Sequence, residues 1–226
     1  MPRESTSRRR AAKRVPCALL VLVGAVGLLA GVQVSATCTT YREMRYEGVV
    51  GQSSEYSCGP AAVATLLSCF YGLDVSESEV LQRAEEYDAA AGRELGSGIS
   101  AYALKRTLAD HGIPARGLLV SLDALLQHFA QGGLPLILHL TRPQKHYLVA
   151  IGIVEGHAVL ADPSWGRRLL PVPELEGESG FDGVVLAPMP PSDLAERAAA
   201  AQSDALSWAR ERLAELAALR DRMLWP

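Results

Sequence analysis

Aromatic residues are scarce in this chain of 226 residues, at 6%, so it offers no stacking platform of the kind that holds single-stranded nucleic acid. Positive charge is not in excess either. The formal net charge is −3, and residues 1–36 hold six Lys or Arg against one acid, which leaves −8 on the remainder. A body of that sign repels phosphate, so nucleic acid is not an expected partner. The Gly-x4-Gly-Lys-Ser/Thr phosphate loop does not occur, and nucleotide chemistry is unsupported. No Cys-x2-Cys or His-x3-His spacing points to zinc, and no metal or cofactor is expected. Internal repeats are lacking as well. What is there is ordinary globular composition, 49% hydrophobic and 21% charged, sufficient for one domain and an additional segment.

Charge is also missing between residues 15 and 41, and this absence follows a cluster of basic side chains: Arg8, Arg9, Arg10, Lys13 and Arg14. A basic start, an apolar heart over residues 17–32 and the small residues Val34-Ser35-Ala36 form a signal peptide with a cleavage site. Two other readings stand beside it. The apolar stretch barely reaches the roughly 20 residues that span a bilayer as a helix, which allows an uncleaved anchor. Cys38 allows a lipidated cysteine, although Ser35-Ala36-Thr37 is a poor lipidation box. All three readings have residues 1–36 inserting in or crossing the membrane and carry the body out of the cytosol.

Four cysteines in an exported protein would normally suggest disulfides, but here they pair badly. Cys17 lies in the apolar segment, leaving Cys38, Cys58 and Cys69. If Cys58 and Cys69 share a helix, the rise of about 1.5 Å per residue holds them roughly 16 Å apart. A disulfide needs Cα atoms within about 7 Å, so that pair is excluded while Cys38–Cys69 stays open. Cys58 is then a free thiol that calls for a reason.

Hydrophobic spacing predicts helices first and strands later. Val63, Leu66, Leu67 and Phe70 recur as one buried face of a helix over 59–70 that Gly72 ends. Ser76 with Glu79 is a capping box for a helix over 76–87. Further helices are expected over 100–111 and, behind Ser121, over 121–130. Short apolar runs at 134–140, 147–154, 158–161, 169–170 and 184–186 read as strands, with a turn at Glu155-Gly156. This order implies an α+β fold. After the prolines of 188–191, residues 192–226 form a helical tail. Its face of Leu194, Ala198, Ala201, Ala205, Trp208, Leu213, Leu216 and Leu219 either lies on the body or takes a partner.

Reactive residue types gather at Gln52 to Pro60. A helix N-terminus lowers a thiol pKa by setting partial positive charge beside sulfur, and Cys58 stands at such a start. Pro60 suits a first helical turn. The Cys58 N–H and the Gln52 amide are candidate donors to an oxyanion. A thiolate needs a base and an orienter. Among five histidines, His111, His128 and His157 fall in helices or a turn and read as surface residues, and His139 inside an apolar strand reads as a satisfied core histidine. His146 opens one strand of a hairpin whose return strand ends at Asp162, so the two share one end of the sheet.

Gln52-x5-Cys58-Gly59-Pro60-Ala61-Ala62, Gly96-Ser97-Gly98, Leu134-Pro135, Lys145-His146-Tyr147-Leu148-Val149 and Ala161-Asp162-Pro163 with Gly166 resemble, in this order, the C39 peptidases. These are papain-like cysteine proteases that process bacteriocin precursors. The resemblance covers residues 48–188 and implies a helical N-terminal half packed on an antiparallel sheet. It implies Cys58 as nucleophile, His146 as general base, Asp162 as orienter and Gln52 as oxyanion donor, with a peptide or protein substrate. A catalytically silent peptide-binding module and a Cys-His-Asp acyltransferase or amidase are the alternatives.

Overall fold

The computed structural model describes residues 39–94 and 98–223. Residues 1–36, Cys38, Gly96 and Ser97 lie outside them, and with them the export readings and the Cys38–Cys69 pairing. Among the described residues no helix is long and apolar enough to cross a membrane.

The expected helices form where their caps are. α1 (Tyr41–Arg45), which no apolar period announces, is a short capped turn behind Thr40. α2 spans Cys58–Thr65. α3 (Glu77–Ala90) begins behind Ser76, whose hydroxyl accepts from the Glu79 N–H while the Glu79 carboxylate accepts from the Ser76 N–H. Ser100 caps α4 (Ala101–Asp110) and Ser121 caps α5 (Leu122–Ala130) with the hydroxyl alone, which accepts from the Ala103 and Ala124 N–H groups. The helix over 59–70 departs from expectation twice. All eight residues of α2 are buried, not one face. Ala61, Ala62 and Ala64 are small enough for neighbours to close over them, a burial that a pattern of large apolar residues cannot register. The final turn, Leu66–Phe70, widens into a π-helix in which the Tyr71 N–H reaches the Leu66 carbonyl at 2.9 Å.

Six strands form one antiparallel sheet in the order β1-β6-β2-β3-β4-β5. They are β1 (Ala115–Leu119), β2 (Leu136–Leu140), β3 (His146–Val154), β4 (His157–Asp162), β5 (Gly166–Pro171) and β6 (Phe181–Pro188). Ile137, Val149 and Val159 point into a core shared with α2, α3 and α4, while Leu138, Leu148 and Leu160 face a second core with Leu125 of α5 and Leu175 of α6 (Val172–Glu176). Both faces are covered, which is why these strands read as continuous apolar runs rather than alternating ones. β1 escaped the sequence reading because it is an edge strand with four of its five residues exposed. The turn falls at Glu155-Gly156 as expected, both residues taking positive φ, at 48° and 74°.

Between β3 and β4 the register slips. Val154 pairs with His157, Ile153 with Ala158 and Gly152 with Val159, but Ala150 then pairs with Leu160 and Val149 with Ala161. Ile151 is the extra residue of a β-bulge.

The tail is a single helix, α7 (Ser192–Met223), of about 48 Å at 1.5 Å per residue. Ala198, Gln202 and Ala209 are buried, and the Trp208 ring lies 4.2 Å from the Arg167 guanidinium. Leu216 and Leu219 on the same face stay about half exposed. The α+β arrangement with a long C-terminal helix is the one expected.

Candidate active site

The helix start at Cys58 is prepared by the loop before it. Ser53 gives its N–H and hydroxyl to the buried carboxylate of Glu77, and the Val50 N–H donates to Thr65 Oγ1 on α2. The Gln52 N–H donates to the Pro163 carbonyl at 2.9 Å, tying this loop to the turn after Asp162. Gly59 permits a close approach: a Cβ there would lie 2.8 Å from Leu104 Cδ1 and 3.2 Å from Tyr147 Cδ2. Cys58 is thereby pressed between α4 and β3, buried to 8% exposure.

The bulge decides where Asp162 points. In the register that runs from the turn, Asp162 would stand opposite Val149, with its side chain on the face away from His146. After the slip at Ile151 it stands opposite Leu148, two residues from His146 and on the same face. His146 Nε2 and Asp162 Oδ1 are 2.8 Å apart. The other ring nitrogen, Nδ1, is the one left for Cys58, with which the imidazole shares a side-chain hydrogen bond.

Burial alone would push the Cys58 thiol up. Its hydrogen bond with His146, the Tyr147 N–H, the imidazolium charge and the Gly59 N–H outweigh that and hold it below the ordinary thiol range. Burial disfavours the His146 cation, yet Asp162 and Cys58 push its pKa up to about 9. For Asp162 burial again raises, and the hydrogen bonds from His146 and Ser164 prevail and keep the carboxyl low. All three shifts favour thiolate, imidazolium and carboxylate together. Such an array can deliver a sulfur nucleophile and hold a proton ready for a leaving group.

The structure thus brings Cys58, His146 and Asp162 together. Gln52 is half-buried on the loop leading to Cys58, with one hydrogen of its Nε2 given to the Ser54 carbonyl at 2.7 Å and its Oε1 buried without a partner. An amide has two such hydrogens, and the second is not consumed by that bond. His128 and His157 bond to carbonyls of neighbouring loops. His139 is satisfied, as expected, by Asp182 at 2.9 Å, but it is not sealed in a core. It lines a cavity of about 520 Å³ with Cys58, Tyr56, Ile99, Lys145 and Tyr147. A second cavity of about 290 Å³ reaches His146 and Asp162 between Arg142, Ser164 and Arg168. Sequence reasoning missed Ser164, although Asp-Pro-Ser is a turn signal in which a hydroxyl two residues on can reach the carboxylate. Among the described residues no cluster of His, Cys, Asp or Glu could hold a metal ion.

Residues 47–193 match the Peptidase C39 family. The chain is 29% identical over 180 residues to the probable functional amyloid protease FapD of Pseudomonas fluorescens, a match covering 76% of each. It is also 29% identical over 148 residues to the FapD of Pseudomonas aeruginosa, covering 65% of this chain and 62% of the other. Among solved structures, the peptidase domain of Streptococcus ComA, a bi-functional ABC transporter involved in quorum sensing, superposes with a TM-score of 0.54 at 18% identity, covering 63% of this chain and 98% of that one. A double glycine motif protease from an AMS/PCAT transporter, in complex with its leader peptide, gives 0.52 at 22%, covering 63% and 91%. These two show the same fold. The sequence match spans well over half of the chain, and the chain belongs to the peptidase C39 family.

Proposed function

We propose that residues 48–188 are the catalytic domain of a cysteine peptidase in which Cys58 is the nucleophile, His146 the general base and acid, and Asp162 the orienter. The observation that carries this reading is the imidazole of His146 held between the Cys58 sulfur and Asp162 Oδ1. The Cys58 thiolate attacks the scissile carbonyl carbon, and the oxyanion takes hydrogen bonds from the Cys58 N–H and the free hydrogen of the Gln52 amide. As the C–N bond breaks, the His146 imidazolium gives its proton to the departing amine and a thioester remains. Water, losing a proton to His146, then attacks the thioester. The acyl product leaves as a carboxylic acid, sulfur departs as thiolate, and the thiolate–imidazolium pair is restored.

The substrate class is a peptide. The support is the family itself and the leader peptide bound in the AMS/PCAT relative, together with a cavity of about 520 Å³ beside Cys58 and one of about 290 Å³ beside His146 and Asp162. The site of action is outside the cytosol, on the strength of the basic cluster and apolar run of residues 1–36.

The test is to trap the acyl-enzyme. Incubating the full chain with an extracellular peptide pool, quenching in acid and mapping by mass spectrometry should find an acyl group on Cys58. Cys58→Ala should form none and hydrolyse nothing while keeping its fold, at a cost of about 1 kcal/mol. Cys69→Ser should stay active, since Cys69 sits in the π-helical turn away from the helix start. Turnover by purified Cys58→Ala would remove the assignment.

A further inference from the structure

The bulge that turns Asp162 toward His146 has a brace of its own. Ile151 has no partner across β4, and β2 ends its pairing with β3 at Leu136–Ala150, one residue short of it. Ile151 is buried, and on the β2 side its carbonyl would need the N–H of residue 135, a proline that has none, a state that is costly unless another donor is brought to it. The donor comes from the tail. Gln202, on the buried face of α7, gives one Nε2 hydrogen to the Ile151 carbonyl at 2.6 Å and bonds the Gly133 carbonyl in the loop before β2 at 2.9 Å. Both partners are acceptors, so the amide orientation is fixed and both its hydrogens are used. Gly152, the next residue, leaves room for α7 to come in: a Cβ there would meet Leu206 Cδ2 at 2.8 Å.

We propose that α7, nearly all of which lies beyond the family match, is a brace of the catalytic register, and that Gln202 is a positioning residue acting on His146 and Asp162 through the bulge at Ile151. The physical reason is the place where the helix grips the strand. Ile151 is the residue at which the register slips, and its carbonyl faces β2, where Pro135 has no N–H to give. Gln202 supplies the missing donor and ties the same point to Gly133. A side chain at 202 that cannot donate leaves that carbonyl buried and unpaired at the bulge itself, on the strand segment that sets His146 against Asp162. The lever is about 17 Å long, five residues of strand from Ile151 to His146.

This inference rests on the peptidase reading, and its test separates the two. Alkylation of Cys58 by iodoacetamide is followed against pH in the full chain, with Cys58 resolved from the other cysteines by peptide mapping, and kcat and KM are measured on the peptide found by acyl trapping. In the wild type Cys58 should react well below the pH at which an ordinary thiol does. In Gln202→Leu that limb should move up toward the ordinary thiol, and kcat should fall about ten- to a hundred-fold with KM little changed, the size of effect that small misplacements of reacting groups produce. Leu206→Ala, which weakens the same helix contact without touching the amide, should lower Tm and leave both readouts in place. If Gln202→Leu does not fold, Gln202→Asn, which retains an amide one methylene shorter, should show the same shift at smaller size. A Gln202 variant with reduced Tm but an unmoved alkylation limb and kcat, or a Leu206→Ala that loses both equally, reduces α7 to general stabilisation and overturns the proposal. A wild type whose Cys58 titrates as an ordinary thiol overturns the peptidase reading first.

Discussion

Ser164 holds Asp162 twice on one oxygen. Its N–H lies 2.9 Å and its hydroxyl 2.7 Å from Oδ1, the same atom that faces His146 Nε2 at 2.8 Å. Among the described residues Oδ2 has the Arg168 guanidinium, at 3.7 Å. The carboxylate is therefore fixed in rotation by its near neighbour in sequence, so that it can fix the imidazole in turn.

Ser164→Ala should remove the hydroxyl bond, keep the N–H bond and loosen Asp162 without abolishing it. A loss of about ten-fold in kcat/KM is expected, roughly 1.4 kcal/mol and near the lower end for a hydrogen bond to a charged group. Ser164→Thr should restore it. Asp162→Asn should cost several orders of magnitude if the orienter behaves as in serine-protease triads. Equal rates for Ser164→Ala and wild type would mean that the N–H alone positions the carboxylate.

The pH profile follows from the signs of the shifts. In the proposed mechanism the active form carries thiolate and imidazolium, so kcat/KM should rise as Cys58 ionises below the ordinary thiol range and fall as His146 gives up its proton near pH 9, the two limbs belonging to the coupled pair. Stability has its own sign. The folded-state pKa of His146 is raised above its ordinary 6.5, so its contribution is complete below about 6.5 and is lost as pH rises through about 9. The lowered Asp162 contributes above the ordinary carboxylate range and fails as pH drops through its depressed value. These are two views of one attraction and do not add. Urea melts at pH 7 and pH 10 check the alkaline half; Cys58→Ala, lacking the thiolate, should show a smaller alkaline loss than wild type.

Gly59→Ala tests the seating of the helix start. The added methyl meets Leu104 and Tyr147 at 2.8 and 3.2 Å, so α2 or its neighbours must shift. An overpacking cost of about 1–3 kcal/mol is expected, with kcat lowered because Cys58 is the adjacent residue. Thermal melts and steady-state rates on the same preparation read both; a variant as stable and as fast as wild type would show that the contact yields freely.

Export is testable without any substrate. A phosphatase reporter joined after Pro226 should be active only outside the cytosol, since the basic residues before Cys17 resist translocation while the −8 body crosses. N-terminal sequencing then separates a start at Thr37, an intact N-terminus held in membranes and a blocked Cys38. Reporter activity confined to the cytosol sinks the export reading.

Sequence alone reached the elements whose signals are local. Capping serines at 76, 100 and 121, the Glu155-Gly156 turn and the apolar runs of the central strands each act within a few residues, and each placed its element within a residue or two, except for the end of α3, the start of β5 and β6. Cys58 at a helix start and the hairpin joining His146 to Asp162 were legible for the same reason. The misses are non-local. α2 is buried all round because of what packs on its alanines, β1 is an edge strand defined by its pairing with β6, and the cavity beside His139 exists only between elements distant in sequence.

What the sequence determined by itself is therefore the inventory: which residues stand as candidates for nucleophile, base and orienter, and which segments carry them. What only the tertiary structure decided is whether they meet. Side chains alternate along a strand with period two, so one extra residue at Ile151 moves Asp162 from the far face of the hairpin to the face of His146. Nothing in the sequence from His146 to Asp162 specifies that residue as the bulge. The donor that satisfies its buried carbonyl is Gln202, some fifty residues further on, and only folding brings it there.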